Sequence, residues 1–453
     1  MSLAPRKAAL AILMDIDQGG LTLDRLMDRF HRGNELDRRD ESFVTAIVYG
    51  ALRWRRRLDW IISKVSTTPL DRMDPLVVNI LRMGLYQIIF MDRVPNSAAV
   101  NTSVELAKAL KKKWLTGFVN GVLRQALRRL SDIALSSSET DPVQALAMTH
   151  SMPEWLVERW INQFGQQEAT ALCETCNRIP SLALRTHTLK IDRQTLMRKL
   201  QPLAKAIRPS IYAPEGIIVD SLKGDLFSSE AFEKGWFQVQ DEAAQAVAHL
   251  LAPQPGQDVL DACAGLGGKT AHIATLMKNY GRITAMDRVD RKLQQLMQEM
   301  WRLGIDIVTP QTTDLESDDI PKNRQAFDRI LLDAPCSGLG VIRRNPDAKW
   351  SRTPDDIQHC ARRQKQLLFN LAPRLKHGGV LVYAVCSTEP EETSDIITLF
   401  LSECPQFVID DRPPDLPPSL SPLMDPHGWL QTSPHRHGTD GFFAVRLRRQ
   451  ETL

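Results

Sequence analysis

The fold of this chain is decided by one stretch, Val259-Leu260-Asp261-Ala262-Cys263-Ala264-Gly265-Leu266-Gly267-Gly268-Lys269-Thr270. An apolar run enters it, three glycines bend it, and an amphipathic segment leaves it. This pattern predicts a strand, a tight loop and the start of a helix. Glycines let backbone N–H groups approach a ligand closely, and a helix start offers unpaired donors and a positive dipole end. The stretch therefore predicts a nucleotide-type binding loop.

The spacing of the loop disfavours the two common phosphate-binding loops. A Walker A loop needs glycine at the position of Cys263, and the dinucleotide fingerprint started at Gly265 needs glycine where Thr270 stands. The remaining common interpretation is S-adenosylmethionine. This ligand has no pyrophosphate and requires a close backbone, with carboxylates for its ribose and amino groups.

Acidic residues follow the predicted strands at regular places. The second predicted strand, residues 281–287, ends in Asp287; the third, 306–310, leads to Asp314; and the fourth, 327–332, is followed by Asp333. One such acid is more often solvated or a helix cap. Acids at successive strand ends instead favour ligand binding at the carboxyl edge of a parallel sheet.

Two cysteines lie beyond predicted strands of the same sheet. Cys336 follows the fourth strand in a turn with Pro335 and Gly338, and Cys386 ends the apolar run 378–385. A lone cysteine at a strand end usually fills the core. Two thiols together with Asp333, facing a methyl donor, favour nucleophilic catalysis on an electron-poor ring.

The composition describes an ordinary globular chain of about three domains. Of its 453 residues 43% are hydrophobic, and its seven cysteines have no pairing pattern. We expect a cytoplasmic protein, because no signal peptide or long apolar span opens the chain.

Net charge is +3, but residues 1–130 carry 22 Lys and Arg against 13 Asp and Glu. A basic module on an acidic body favours nucleic acid as partner.

The first 130 residues show helical periodicity. Apolar residues between Phe43 and Val65 recur every three or four positions, which predicts one long helix with arginines 53 and 55–57 on its opposite face. Such a run is more often a solvated face than a binding surface. Residues 111–113 with Trp114 add a second basic cluster, which favours RNA contact. The basic loop 343–350 is a further RNA candidate, or a surface loop anchored by its tryptophan.

A polar segment at residues 131–142 predicts a linker, after which 145–240 read as a small mixed segment. Cys173 and Cys176 have metal-type spacing, but no second Cys/His pair follows, so packed cysteines and no metal are expected. We divide the chain into a helical RNA-binding domain (1–131), a linker with a small α+β domain (132–240), and a methyltransferase domain (241–453).

Three motifs resemble the RNA cytosine-5 methyltransferase family: the loop 261–270, residues 333–338, and Cys386-Ser387-Thr388 before Pro390-Glu391-Glu392. Residues 96–101 and 118–124 resemble the antitermination-factor-like RNA-binding domain of its bacterial ribosomal RNA branch. The resemblance covers nearly the whole chain. It implies a multidomain protein with an all-α N-terminal domain, a small α+β linking domain and an α/β Rossmann-like methyltransferase domain of seven strands. The last strand, 441–447, would lie antiparallel at the sheet edge.

The resemblance also implies roles for individual residues. Cys386 would be the nucleophile, Cys336 would help release the product, and Asp333 would hydrogen-bond the base. Lys269 would lower a thiol pKa or orient Asp333, or be a helix-start lysine that binds nothing. The residues implied to bind S-adenosylmethionine are Cys263, Ala264, Gly265, Leu266, Gly267, Gly268, Lys269, Asp287, Asp314 and Asp333.

The implied reaction is methylation of C5 of a specific cytosine in 16S ribosomal RNA, free or in a small-subunit assembly intermediate, through a covalent Cys–C6 adduct. A monomer without metal or membrane association is expected. Two alternatives stay open: a catalytically silent RNA-binding assembly factor, and a DNA cytosine-5 methyltransferase with Cys336 as nucleophile. The sequence departs from the family at Gly265-Leu266, usually Ala-Pro, and at Val385, usually Thr; neither change removes a reacting group.

Overall fold

The structure, a computed structural model, describes residues 2–110, 113–133, 141–317, 326–411, 413 and 415–451, without the side chains of 113 and 114. The helices of this part of the chain are α1 (Ala4–Gln18), α2 (Leu23–Gly33), α3 (Arg38–Arg53), α4 (Arg55–Val65), α5 (Pro75–Phe90), α6 (Asn96–Ala109), α7 (Lys113–Arg129), α8 (Pro142–Thr149), α9 (Glu154–Phe164), α10 (Gln166–Cys176), α11 (Arg193–Leu200), α12 (Glu230–Glu233), α13 (Glu242–Leu251), α14 (Gly268–Leu276), α15 (Asp290–Leu303), α16 (Ala348–Ser351), α17 (Pro354–Leu371), α18 (Ser394–Glu403) and α19 (Pro434–His437). The strands are β1 (Leu182–Thr186), β2 (Ala204–Pro209), β3 (Gly216–Leu222), β4 (Phe237–Val239), β5 (Asp258–Ala262), β6 (Arg282–Asp287), β7 (Val308–Thr312), β8 (Phe327–Asp333), β9 (Leu375–Val385), β10 (Phe407–Ile409), β11 (Trp429–Thr432) and β12 (Phe442–Arg449).

Contacts divide the chain into two compact units. The first comprises Met1–Arg178 with Ile342–Ser351, and the second comprises Ile179–Val341 with Arg352–Leu453. The division of the sequence into domains at residues 131 and 240 stays a prediction.

Helix α5 is the central element of the first unit. It begins with Pro75 after Asp74, whose side chain accepts a hydrogen bond from the backbone N–H of Leu76, a standard N-terminal cap. Most of its residues are buried, around the whole helix, as expected for a helix inside a bundle. A side chain at Gly50 of α3 would overlap the ring of Tyr86, so this glycine allows the close approach of α3 to α5.

The prediction of a single long helix over residues 43–65 is wrong in that the helix is interrupted. The chain breaks at Trp54, where φ is −108° and ψ is 16°, and α3 and α4 are separate helices. The Trp54 ring stacks on Phe90 with centroids 4.7 Å apart. The apolar period continues across the break because both helices bury a face in the same core.

The arginines of this region do not form the expected solvated face. Arg53 is only 5% exposed, and its neighbours are also engaged within the first unit. Their partners are the carbonyl oxygen of Arg343 for Arg53, Asp17 for Arg55, Glu154 for Arg56 and the Trp54 ring for Arg57. In the second basic cluster, Lys111 and Lys112 lie outside the described residues, as do the side chains of residues 113 and 114.

The basic loop 343–350, predicted either to hold RNA or to be a surface loop anchored by its tryptophan, is packed into the first unit. Lys349 is 1% exposed, and its ammonium donates hydrogen bonds to the carbonyl oxygens of Arg53 and Ser151, each at 2.7 Å. The indole N–H of Trp350 donates to the carbonyl oxygen of Leu52 at 2.6 Å. Because these groups are satisfied by the protein itself, they are not an open RNA surface.

Two sheets build the second unit. The smaller is antiparallel with strand order β2-β3-β1-β4, and the larger has the order β10-β12-β9-β8-β5-β6-β7 with β11 added beside β12. Strands β9, β8, β5, β6 and β7 are parallel. Among the described residues the larger sheet thus has eight strands, one more than the seven expected. The last strand, β12, is antiparallel as predicted but does not lie at the edge, because β10 pairs with its outer side.

Candidate active site

Three neighbouring parallel strands bring the predicted catalytic residues to one edge of the larger sheet. Strand β8 lies between β5 and β9, and Asp333 at its end is in register with Ala384 near the end of β9. The backbone N–H of Ala334 continues this ladder by donating to the carbonyl oxygen of Ala384 at 2.9 Å. The turns that carry Cys336 and Cys386 therefore leave the sheet side by side, as parallel strand ends must.

The two thiols are in direct contact. The sulfur atoms of Cys336 and Cys386 are 3.1 Å apart. Hydrogen bonding to Cys386, burial and the negative charges of Cys386 and Glu392 raise the pKa of Cys336 well above its ordinary value. Cys336 is therefore the thiol of the pair that keeps its proton.

Lys269 and Asp333 form an ion pair beside the thiols. The Lys269 ammonium donates to Oδ2 of Asp333 at 2.7 Å. Burial alone would lower the pKa of Lys269, but Asp333 and, more weakly, Cys386 raise it above its ordinary value. Lys269 thus stays charged and is held against Asp333. Whether it orients Asp333 for catalysis or lowers the pKa of a thiol stays a prediction.

A buried carboxylate that sequence reasoning left without a role joins the two cysteine turns. Glu392 is fully buried. Its oxygens accept hydrogen bonds from the backbone N–H of Ser337 at 2.8 Å, from Nε2 of Gln364 at 3.0 Å, and from the hydroxyls of Ser337 and Ser387, each at 2.5 Å. Ser337 follows Cys336 and Ser387 follows Cys386, so this one side chain fixes both turns. Glu392 lies in the quoted motif, but its spacing from either cysteine gives no sign of this contact.

Gly340, to which the sequence analysis gave no role, supports the turn that carries Cys386. The N–H of Gly340 donates to the carbonyl oxygen of Cys386 at 3.0 Å, and its own carbonyl oxygen accepts from the N–H of Gly441 at 2.8 Å. A Cβ at Gly340 would lie 2.0 Å from the Gly441 oxygen, far inside van der Waals contact. Only glycine therefore fits between these backbones.

The glycine loop connects β5 to α14. Cys263 has a positive φ of 67°, uncommon for a residue with a side chain, and burial raises the pKa of its thiol to about 12. The N–H of Ala264 donates to the carbonyl oxygen of Met286 at 2.8 Å, and the N–H of Gly265 donates to Oδ2 of Asp287 at 3.1 Å. Loop and second strand end are thus joined by backbone and side chain.

The remaining loop residues differ in exposure. Leu266 is 57% exposed, whereas Gly267 has φ of 85° and a Cβ there would lie 2.6 Å from Leu296. Gly268 begins α14, and a Cβ there would meet no atom within 4 Å. Open space therefore borders this side of the loop.

Two further acids lie at strands of this sheet, Asp314 after β7 and Asp261 in β5. Asp314 follows β7, which spans Val308–Thr312 rather than 306–310. Its side chain is exposed and accepts a hydrogen bond from the backbone N–H of Glu316 at 3.0 Å. Asp261, to which no role was given, is 1% exposed and accepts from the Thr270 hydroxyl at 2.6 Å. Burial raises the pKa of Asp261 to about 7.

Comparisons with known proteins identify the family. A family model described as 16S rRNA methyltransferase RsmB/F matches residues 248–448. The probable ribosomal RNA small subunit methyltransferase B of Bacillus subtilis is 35% identical over 98% of both chains. This chain belongs to the ribosomal RNA small subunit methyltransferase B family. Its resemblance to ribosomal RNA methyltransferases, predicted from the motifs, is thereby confirmed.

Other matches cover the remaining parts of this methyltransferase B family member. The NusB family model matches residues 3–128, and a ferredoxin-like domain model of RsmF/B-like methyltransferases matches 152–223. Ribosomal RNA small subunit methyltransferase B of Pseudomonas putida is 35% identical over 98% of both chains. The crystal structure of a methyltransferase homologue from Pyrococcus horikoshii is 27% identical, with a TM-score of 0.58 over 68% of this chain and 99% of that one. The predicted fold class is therefore confirmed.

A search of the described residues for membrane spans finds no helix that combines the length and the apolar character needed to cross a bilayer.

Proposed function

We propose that this ribosomal RNA methyltransferase transfers a methyl group from S-adenosylmethionine to C5 of a cytosine in 16S ribosomal RNA, in the cytoplasm. The observation that carries the proposal is the pair of thiols 3.1 Å apart, next to the Lys269–Asp333 ion pair. A methyltransferase acting on a nitrogen or a hydroxyl needs no thiol. C5 of cytosine does, because it is a poor nucleophile until a group adds at C6.

The glycine loop fits S-adenosylmethionine. Backbone at Gly268 borders open space, and the buried carboxylate of Asp287 at the second strand end suits the ribose hydroxyls. The residues proposed to bind the cofactor are Cys263, Ala264, Gly265, Leu266, Gly267, Gly268, Lys269, Asp287, Asp314 and Asp333. When bound, S-adenosylmethionine supplies an electrophilic methyl group on a sulfonium.

Cys386 begins the proposed reaction. Its thiolate adds to C6, a C6–S bond forms, and the electron pair moves toward C5, which becomes nucleophilic. As the electron pair moves, N3 takes up a proton from solvent. The Asp333 carboxylate, oriented by Lys269, accepts hydrogen bonds from this N3–H and from the exocyclic amine and stabilises the protonated ring. After C5 is methylated, its proton passes to solvent, the electron pair left behind restores the C5–C6 double bond, and the C6–S bond breaks to expel the Cys386 thiolate. Cys336 assists this release. The target base must be unpaired or flipped, because C6 is inaccessible in a stacked helix.

The test is transfer of labelled methyl groups to unmethylated 16S ribosomal RNA by the wild type, Cys386→Ala and Cys336→Ala, with a cytosine-containing DNA duplex as second substrate. We expect no transfer by Cys386→Ala and accumulation of a covalent protein–RNA adduct by Cys336→Ala. Full activity of Cys386→Ala with an inactive Cys336→Ala would reverse the two roles. Preference for the duplex would favour a DNA enzyme, and absence of transfer by the wild type would favour a silent assembly factor.

A further inference from the structure

Three side chains of metal-binding type meet in the second unit, away from the thiols. Glu215 precedes β3 of the smaller sheet, His249 lies on α13 and His272 lies on α14. Oε2 of Glu215 is 2.8 Å from Nε2 of His249 and 3.7 Å from Nε2 of His272. One ligand atom from each lies within 4.8 Å of the others. The three residues come from separate parts of the sequence, so their spacing along the chain does not indicate that they form a cluster.

The ring of His272 packs edge to face against that of His249, but hydrogen bonds within the protein do not account for its nitrogens. It is fully buried, and neither of its ring nitrogens has a hydrogen-bond partner. A buried polar group without a partner destabilises the folded state, so such a group calls for an explanation. A neutral imidazole offers a lone pair on one ring nitrogen, which a metal ion in the cluster could accept.

We propose that Glu215, His249 and His272 bind a divalent transition metal ion, zinc by preference. Two imidazoles and one carboxylate are a ligand set that zinc favours, whereas magnesium and calcium prefer oxygen alone. Tetrahedral ligands at zinc distances lie about 3.3 Å apart, between the two separations from Oε2. The site departs from the expectation, drawn from the cysteine spacing, that the protein binds no metal.

A hydrogen bond from His249 to Glu215 is the simpler description of two of these residues, but it leaves His272 unexplained. A metal ion bound by all three side chains would also give His272 a partner. It would tie the loop before β3 to α13 and to α14, the helix that begins at the glycine loop. Its role would be structural, because all three side chains are largely buried. This proposal does not depend on the methyl-transfer proposal.

The experiment titrates zinc into full-length protein stripped with a chelator, measuring bound metal by elemental analysis and the thermal midpoint in parallel. The paired thiols can also bind zinc, so the background is Cys336→Ser/Cys386→Ser. We expect one zinc per chain in this background and a higher thermal midpoint on binding. Glu215→Gln, which keeps the shape of the side chain, and His272→Ala should each bind zinc at least tenfold more weakly. His377→Ala, at an exposed histidine, is the matched control and should bind as the background does.

Cobalt distinguishes the two possible zinc sites directly. Bound by imidazole and carboxylate, cobalt shows visible bands without the near-ultraviolet charge-transfer absorption of a thiolate ligand. We expect that spectrum in the wild type at one equivalent. Zinc binding that disappears in the thiol double variant, or that survives unchanged in both His272→Ala and Glu215→Gln, would overturn the proposal. So would absence of zinc binding at micromolar concentrations. Circular dichroism verifies that each variant is folded.

Discussion

Replacing Glu392 tests whether one buried carboxylate fixes the geometry of both catalytic turns. Glu392→Ala removes the acceptor of four hydrogen bonds. Hydrogen bonds to charged groups contribute about 1.5–3 kcal/mol each, but the contributions are not additive here. The Ser337 and Ser387 hydroxyls, 3.4 Å apart, can pair with each other, whereas the Ser337 N–H and the Gln364 amide lose their acceptor. We therefore expect a loss of about 3–5 kcal/mol in the free energy of unfolding.

Glu392→Gln provides a graded comparison. The glutamine oxygen can still accept from the Ser337 N–H and from Gln364, and the amide can donate to a serine hydroxyl, since a hydroxyl also accepts. Loss of the charge alone should cost about 1–2 kcal/mol. Glu391→Gln is the matched control, at an adjacent acid that is partly exposed; its effect should stay within about 0.5 kcal/mol.

The assays are thermal unfolding and methyl transfer measured on the same preparations. One kcal/mol shifts the midpoint of a domain of this size by about 2–4 °C, so Glu392→Ala should unfold at least 6 °C below the wild type. Its kcat should fall at least tenfold, because both sulfur atoms lose their support, while binding of RNA is unchanged. Wild-type kcat in a folded Glu392→Ala protein would refute the reasoning, whatever its stability.

Two further changes test other parts of the site. Gly340→Ala forces a methyl group against the Gly441 carbonyl oxygen and should lower the free energy of unfolding by about 3 kcal/mol, measured by heat or denaturant. The control is Gly121→Ala, in open space on α7, which should raise that free energy by about 0.5–1 kcal/mol. Equal unfolding midpoints for the two variants would contradict this. Asp261→Asn keeps an acceptor for Thr270 and removes a carboxyl whose pKa is raised to about 7. The folded state holds the carboxyl proton more tightly than the unfolded chain does. Ionisation of Asp261 therefore opposes folding as pH rises from about 4 through 7. The variant should therefore gain thermal stability over the wild type at pH 8 and lose that advantage at pH 4, and a gain independent of pH would argue against a buried carboxyl as the cause.

Much of the larger sheet is predictable because its signals are local. The loop 259–270 has the expected strand, turn and helix, and residues 281–287 and 327–332 fall on β6 and β8. The meeting of Cys336 with Cys386 also follows from the sequence, since parallel strand ends share an edge. Where the prediction failed, the cause was a pairing at long range. β12 looked like an edge strand because the short run Phe407–Ile409 gives little sign that it pairs outside it.

The supporting residues were unpredictable for a different reason. Glu392 reads as a solvated acid in an acidic motif, Gly340 as an ordinary turn glycine, and His272 as a polar residue on an amphipathic helix. Each gains its meaning from a partner that is remote in sequence: Ser337, the Gly441 backbone and Glu215. Periodicity and spacing describe neighbours along the chain, so they cannot reveal such contacts.

The segment 342–351 changes how the helical unit should be understood. It is packed into the first unit, but it follows Val341 and precedes Arg352 of the second. Burial lowers the pKa of Lys349 to about 7, and its ammonium is stabilised by carbonyl oxygens of Arg53 and Ser151. Without these partners a buried amine would have to lose its proton or move into solvent. The contacts that fix the conformation of segment 342–351 therefore lie within the first unit, although the sequence on either side of the segment belongs to the second.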